Sequence, residues 1–430
     1  VKDWLRVGAT TNTGITNEKL TINQSFGGLI SNTLLQAPDI PVRNPDGSYA
    51  GPVDNSMNVT YFNPVAEAMV KKNNLIRKNF LGNVYAEAEL LKGLKYRIEV
   101  GANTEISEHT EFIPSYAWGV QTNPTADLTE RRQNWYSTNI KNLLSYDKTI
   151  DKHHFTILAG QEANDSHWEG ITVTASGFAT NDLYTLNLAD PAQTKATGYK
   201  GSASIYSLFG RLIYDYDNRF SLSASMRSDR SSKFYPGDKN KQIGTFPAVA
   251  GSWKISNEKF MEGTRQYVDN IKLRVGYGET GNQQIENNQY GALLVQSSSQ
   301  LGPGYQPTNI SNPAVTWESM KQTNVGIDFS VLDNSLTASF DVYNKKSEHF
   351  LFAVPLPTYL TGTSGYGGMS PPVSNLGSMQ NRGYDITLNY NTKGEFQWNS
   401  TLVFSHYKNK LLNIQDELSL TQAVNINGYM

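Results

Sequence analysis

From Phe220 the chain alternates strictly: Phe220, Leu222, Ala224 and Met226 fall on one side of an extended backbone, and Ser221, Ser223, Ser225 and Arg227 on the other. The division recurs in Leu273, Val275, Tyr277 against Lys272, Arg274, Gly276, and in Val325, Ile327, Phe329, Val331 against Asn324, Gly326, Asp328, Ser330. Tyr384, Ile386, Leu388, Tyr390 against Asp385, Thr387, Asn389, Asn391 is the clearest case. A period of two marks a strand with one apolar and one wet face, where a helix would repeat every 3.6 residues. Placing strands wherever the alternation holds predicts roughly thirteen. They fall near Trp4, Gly82, Lys95, Asn134, His153, Ser202, Phe220, Thr245, Ile271, Glu318, Ser335, Gly377 and Phe396.

The connections alternate as well. Tight turns are expected at Lys92-Gly93, Thr149 to Lys152, Asp215 to Asn218, Asp333-Asn334 and Lys393-Gly394, all rich in the Gly, Asn and Asp that hairpins use. Between them lie long polar stretches, from Gly14 to Lys78, Ile106 to Gln133, Ser166 to Gly201, Arg230 to Gly244, Gly281 to Trp317 and Leu351 to Leu376. Short and long connections in alternation are the rhythm of an outer-membrane barrel, with short periplasmic turns and long extracellular loops. One connection, Ser256 to Asn270, is longer than its place requires, and a short helix is expected there over Glu258 to Glu262. The fold class is therefore all-β, an antiparallel transmembrane β-barrel with long extracellular loops. An odd number of strands leaves open edges that lipid does not tolerate, so residues 1–430 are expected to be a single wall segment of a larger barrel whose closing strands lie outside it.

Composition sharpens this picture. Charged residues are 18% of the 430, aromatics 11% with 24 Tyr, and Lys plus Arg number 37 against 39 Asp plus Glu. A formal charge of −2 provides no field to gather nucleic acid. The absence of cysteine excludes disulfide frameworks, thiolate metal sites and thiol catalysis. Mean hydropathy is −0.47, and no apolar run reaches the roughly eighteen residues of a membrane helix. Barrel strands show lipid only every second side chain, so a low average is compatible with a membrane wall.

Chemical motifs are few. Gly276-Tyr277-Gly278-Glu279-Thr280-Gly281 satisfies the spacing G-x-G-x-x-G, but the polar residues Asn282 to Asn288 after it lack the helical period that a dinucleotide site needs. Glu87 and Glu89 share a strand face and could pair as acid and base, yet on a wet barrel wall they read as lining. His153-His154 are adjacent on a strand and so point to opposite faces, which suits a solvated turn better than a metal. Arg211, Arg227, Arg274, Asp328 and Asp385 are expected to line the lumen with the two glutamates. Tyr116, Trp118, Trp168, Tyr235, Tyr305, Tyr359 and Tyr366 fall in the long loops, where aromatics either hold cargo or pack against other loops or a partner. Trp135, Tyr136, Tyr146, Tyr214, Tyr216, Trp398 and Tyr407, at strand ends, suit interfacial girdles. No catalytic constellation, metal site or cofactor site emerges.

Several stretches resemble the SusC/RagA-type TonB-dependent transporters of the Bacteroidota. They are Ala37-Pro38-Asp39-Ile40-Pro41-Val42 with Asp46 to Pro52; Gly210 to Tyr216 running on to Ser228-Asp229-Arg230-Ser231-Ser232-Lys233-Phe234; and Gly244 to Val249 with Trp253-Lys254-Ile255-Ser256. Leu273 to Gln283, Asn312-Pro313 through Trp317-Glu318 to Gly326, and Gly377 to Tyr384 continue the match along the chain. The resemblance implies a plugged barrel of about 22 strands, located in the bacterial outer membrane. It also implies a plug domain and TonB-contacting segment upstream, a SusD-like surface lipoprotein as lid, and the option of a dimer of such pairs. Its function would be energised import of an oligosaccharide or peptide, with no enzymatic step. A passive porin or structural barrel is the alternative, and a soluble β-rich adhesin or lectin a third reading, which would need a second sheet to bury Phe220, Leu222, Ala224 and Met226.

Overall fold

In the computed structural model, residues 3–21, 28–53, 63–300, 302–354, 356–362, 367–392 and 395–413 are described. Thirteen strands form one continuous antiparallel sheet whose spatial order follows the chain. They are β1 (Leu5–Lys19), β2 (Lys72–Leu91), β3 (Leu94–Ile113), β4 (Asp127–Ile150), β5 (His153–Ser176), β6 (Lys195–Tyr216) and β7 (Phe220–Ser231). The sheet continues through β8 (Ile243–Lys254), β9 (Val268–Asn282), β10 (Glu318–Val331), β11 (Leu336–Ala353), β12 (Val373–Asn391) and β13 (Asn399–Asn413). Each contains or adjoins one of the thirteen positions read from the alternation.

The tight turns carry the backbone conformations their residues suit. Asp151 (φ 49°), Gly93 (φ 84°) and the runs Asp217-Asn218 and Leu332-Asp333-Asn334 all take the left-handed region, which Gly, Asn and Asp enter at least cost. Lys393-Gly394 lies outside the described residues. The longer connection between β8 and β9 forms two short 3-10 turns, Ile255–Asn257 and Lys259–Thr264. It is clasped by a two-pronged ion pair in which Arg219 Nε and Nη2 donate to Glu258 at 3.0 and 2.6 Å, while Trp253 Nε1 donates to the same carboxylate at 2.9 Å. The Arg219 guanidinium, and after it the Trp253 indole, hold the Glu258 carboxyl below its ordinary range.

The strand ends at the long-loop side differ from expectation. β1 runs to Lys19 and β2 starts at Lys72; β3 reaches Ile113, and β4 begins at Asp127; β5 continues to Ser176 and β6 begins at Lys195. Stretches read as loop are thus upper strand. The reason is physical: alternation is imposed by an apolar environment on one face, and a strand wet on both faces keeps its backbone ladder without it. Trp168, expected in a loop, accordingly lies on β5 with Trp135 of β4 as its cross-strand partner.

Among the described residues no helix is long and apolar enough to cross a membrane, which says nothing about crossing by strands. Buried apolar clusters occur in the loops and at the strand ends that meet them. Phe234, Ile285, Val315 and Trp317 form one, and Phe112, Ala126 and Leu128 another.

Candidate functional site

Antiparallel register fixes which side chains share a face. On one face Val325, Val342, Tyr384 and His406 stand in a row; beside it run Ile327, Phe340, Ile386 and Phe404, then Phe329, Ala338, Leu388 and Leu402. Many of these are exposed, including Val325, Ile327, Phe340 and Leu402. Among the described residues no second layer covers this extended exposed apolar face, which argues against a soluble sandwich and makes lipid its natural neighbour.

The opposite face is polar and knit by charge. Tyr85, Glu99, Lys141, Glu162, Ser207 and Asp229 form one row across six strands. Arg227 joins Asp229 at 2.7 Å and reaches past β6 to Glu162 at 3.1 Å, with Lys141 on the same carboxylate at 3.5 Å. The span is open because Ser207, fully buried between them, is small and accepts from Arg227 Nη2 at 2.7 Å. The same device recurs on β9 to β11. Arg274 donates through Nε and Nη2 to both oxygens of Asp328 at 2.8 Å and pairs with Asp341 at 3.0 Å across Gly326. A Cβ at Gly326 would collide with Asp341 Oδ1 and lie 2.8 Å from Arg274 Nη2, so glycine is what lets the guanidinium cross β10.

All seven residues expected to line the lumen stand on this polar face by register. Glu87 faces Arg97 and Glu89 faces Lys95, with Glu89 accepting from the Gly93 N–H at 3.3 Å. Arg211 faces Ser225 and bonds Ser223 at 3.4 Å. Asp385 faces both Asp341 and Ser405. Gly276, Gly278 and Gly281 belong to β9 and no helix follows them, which removes the dinucleotide geometry. His153 bonds Tyr214 Oη at 2.8 Å and His154 meets Thr149 Oγ1 at 2.9 Å, on opposite faces.

The aromatic candidates separate into distinct places. Tyr116 and Trp118 stack at 3.8 Å within a small hairpin, Tyr116–Trp118 paired with Gln121–Asn123, and Trp118 is only 4% exposed. It is buried against the segment around Gly51, where a Cβ would meet the Trp118 carbonyl, so it is loop core and presents no free ring. Tyr235 lies beside Tyr290 at 5.9 Å on the cluster around Trp317. Tyr305 and Tyr359 are 76% and 82% exposed, the first on the hairpin Leu294–Ser299 with Gly302–Pro307, the second in a single helical turn, Thr358–Thr361. Tyr366 is outside the described residues. These aromatics therefore do not converge on one pocket.

Trp168 and Trp135 do converge. Both stand on the polar face, with the Trp168 ring over Gly201 and Asn164, Ser166 and Ser137 hydrogen-bonded nearby. Trp135 was expected in an interfacial girdle, but its neighbour Tyr136 takes the outer face, and adjacent strand residues cannot share one. Tyr407 likewise sits on the polar side in register with Gly383. Tyr136, Tyr146, Tyr214 and Tyr216 stand on the apolar side. The adjacency of Trp135 and Tyr136 was the signal available in the sequence.

Residues 3–428 match the family model "TonB dependent receptor-like, beta-barrel". The chain belongs to this family. Its sheet is thus part of a TonB-dependent receptor barrel wall, which places it in the bacterial outer membrane. TonB-dependent receptor P3 of Formosa agariphila is 29% identical over 95% of this chain and 40% of its own length. TonB-dependent receptor SusC of Bacteroides thetaiotaomicron is 29% identical over 80% of this chain and 33% of its own. The chain therefore spans about two fifths of the first of these relatives and a third of the second. Among solved structures, that of the RagAB peptide transporter superposes with a TM-score of 0.83 at 23% identity, covering 96% of this chain and 45% of the other. At that identity the likeness establishes the fold. These relatives are receptors and transporters and not enzymes.

Proposed function

We propose that the chain supplies part of the wall of a TonB-dependent importer that brings an oligosaccharide or peptide nutrient across the outer membrane. The observation that carries this reading is the division of a thirteen-stranded sheet into an apolar outer face and an inner face tied by Arg227 and Arg274 bridges. Such an inner wall, polar and cross-linked by charge, suits passage of a hydrophilic cargo. Trp135 and Trp168 offer flat apolar surfaces among amides and hydroxyls, a setting that favours sugar rings or peptide side chains.

In this reading residues 1–430 are one wall segment of a larger barrel. A plug domain, a TonB-contacting segment and a SusD-like surface lipoprotein complete the machine, and two such pairs can associate. Kinship with SusC and the shared fold of the RagAB peptide transporter support a lid-bearing importer over a passive pore. Glu87, Glu89, Arg211, Arg227, Arg274, Asp328 and Asp385 line the bore, and Tyr235, Tyr305 and Tyr359 face the vestibule or the lid.

The test is uptake by the full-length transporter in cells, first with the proton gradient collapsed and then with the TonB-contacting segment deleted. Uptake is expected to be lost in both cases. Uptake that persists without the gradient identifies a passive porin instead.

A further inference from the structure

The wall steps down between β6 and β7, on the side of the long loops. β6 pairs with β5 from Tyr216 up to Lys195, whereas its other edge meets β7 only from Tyr216 up to Ile205, opposite Ser231. Ser232 adds one more rung: its N–H donates to the Ser204 carbonyl at 3.0 Å, and its Oγ accepts from the Ser204 N–H at 2.9 Å. The chain then turns away. Lys233 donates to the Ile285 carbonyl at 2.7 Å, and Phe234 enters the buried loop core.

Backbone groups alternate in direction along a strand. Because Ser204 points its N–H and C=O toward β7, Ser202, Lys200, Gly198 and Ala196 do the same, while Ala203, Gly201, Tyr199 and Thr197 turn theirs to β5. Among the described residues nothing bonds the backbone of Ala196, Gly198, Lys200 or Ser202 on that side, and all four are exposed. They make an open edge about 20 Å long at about 3.3 Å per residue. It is internal to the sheet, since its neighbour β7 is present and stops short. Edges of this kind are ordinarily blunted by proline, a bulge or an inward charge. Here the register with β5 runs unbroken, residues 196–203 include no proline, and Thr197, Tyr199, Gly201 and Ala203 on the bore side carry no charge. Lys200 points outward and pairs with Glu169 at 4.0 Å.

We infer that residues 196–202 of β6 bind an extended peptide of the cargo by strand addition, the peptide continuing the line of β7 above Ser232. This rests on the import reading and selects the peptide from its two cargo classes. Strand addition draws affinity from main-chain hydrogen bonds and specificity from pockets for alternate side chains, so it accepts many sequences. Both kinds of pocket are present. On the bore side a Cβ at Gly201 would lie 2.6 Å from the Trp168 indole, so the ring reaches over Gly201 and borders the open edge. On the outer side a cavity of about 400 Å³ lies at the foot of the edge, lined by Thr138, Asp165, Ser204, Arg230, Ser232 and Gln242. An oligosaccharide has no row of amide donors and acceptors repeating every second residue, and so cannot pair with this edge.

The experiment uses the full-length transporter in mild detergent and hydrogen–deuterium exchange resolved to single amides. Three probes are compared: an uncharged, end-blocked heptapeptide of strand-forming residues, the same peptide N-methylated on two consecutive central amides, and a linear heptasaccharide of glucose. Before any probe is added, Gly198, Lys200 and Ser202 are expected to exchange fast, and Thr197, Tyr199 and Gly201, which bond β5, slowly. The plain peptide should slow the even set about tenfold or more, and the N-methylated one, having lost a donor on each edge, should bind about tenfold more weakly. The sugar should leave the even set fast. K200P, which removes an outward N–H, should weaken peptide binding about tenfold, while K200Q, which removes only the charge, retains it. Equal binding of the two peptides, slowing of the even set by the sugar, or undiminished binding in K200P overturns the assignment. An even set already slow before peptide is added gives the edge to another part of the assembly and overturns it too. Should K200P fail to fold, as judged by heat-modifiable gel mobility, the two peptides on the unmodified protein decide the matter. Failure here leaves the import reading intact, since that one is tested by energy-dependent uptake.

Discussion

The lower and upper halves of β2 to β6 share one hydrogen-bonded ladder but are stabilised differently. Below, every second side chain faces lipid: Val84, Val100, Ile140 and Ala163 stand in one outer row. Above, the same outer face carries Lys78, Glu108 and Arg132, joined at 2.8 and 3.1 Å. A strand of 24 residues such as β4 is about 80 Å long at about 3.3 Å per residue, whereas a bilayer needs only about 10 residues of tilted strand. The excess stands in water, where exposed ion pairs contribute little and the loop cores anchor the top. The lower half is thus specified by its solvent and the upper half by local packing.

The largest effect is expected where the upper half is truly buried. Trp317 packs on Phe234 and Phe246 and donates Nε1 to the Gln242 carbonyl at 2.9 Å. Trp317→Ala should cost about 3–5 kcal/mol of local stability, read as faster proteolysis of the 232–242 and 283–317 loops while the barrel itself stays heat-modifiable. If the whole barrel unfolds instead, the two halves are not energetically separate.

Next comes a charge placed on the outer face at two heights. Ile327→Arg, mid-band between Leu273 and Phe340, should destabilise the barrel by about 2–4 kcal/mol, and Ile171→Arg, high on β5, by about 0–1 kcal/mol. Denaturant titration of folded, lipid-reconstituted protein measures both; equal costs would erase the boundary between the halves.

On the inner face Gly326→Ala intrudes on the Arg274 to Asp341 crossing and should cost about 1–3 kcal/mol. The double variant Gly326→Ala with Asp341→Ala should cost less than the sum of its parts, because the clash and the lost pair are one event. Strict additivity would contradict this.

Smallest is the clasp beneath the membrane. Because the Glu258 carboxyl is held below its ordinary range by Arg219, its contribution is fully present above the unfolded glutamate pKa of about 4.3 and is lost as pH falls through the lower folded value. Protease sensitivity of residues 255–267 should therefore be flat from pH 7 to 5 and rise only below about pH 4, with Glu258→Gln sensitive throughout. A rise already at pH 6 would contradict the clasp.

These contrasts explain what was legible in the sequence. Every membrane-crossing strand announced itself, because lipid enforces a period of two over residues such as Phe220 to Met226, and the seven charged residues named for the inner face stand on the polar side. The upper strands were partly hidden, since Asp127 to Gln133 obeys no apolar period yet pairs residue for residue with Gly170 to Ser176. Loop aromatics were the least readable. Whether Trp118 is core or Tyr305 is exposed depends on which distant loop lands on it, and nothing within a few residues records that. Trp168 was misplaced for the first reason, Trp118 for the second.

Everything above requires that even and odd positions of a strand meet different solvents. Because the chain contains no cysteine, single cysteines at each position from Asn324 to Phe329 in the full-length transporter can be read by a charged, membrane-impermeant maleimide in intact outer membranes. Labelling is expected at Asn324 and Asp328, with protection at Val325, Ile327 and Phe329 until detergent is added, while Gly326, buried under the Arg274–Asp341 bridge, is left out of the comparison. Uniform labelling, or protection of the even set, would contradict the two-solvent wall.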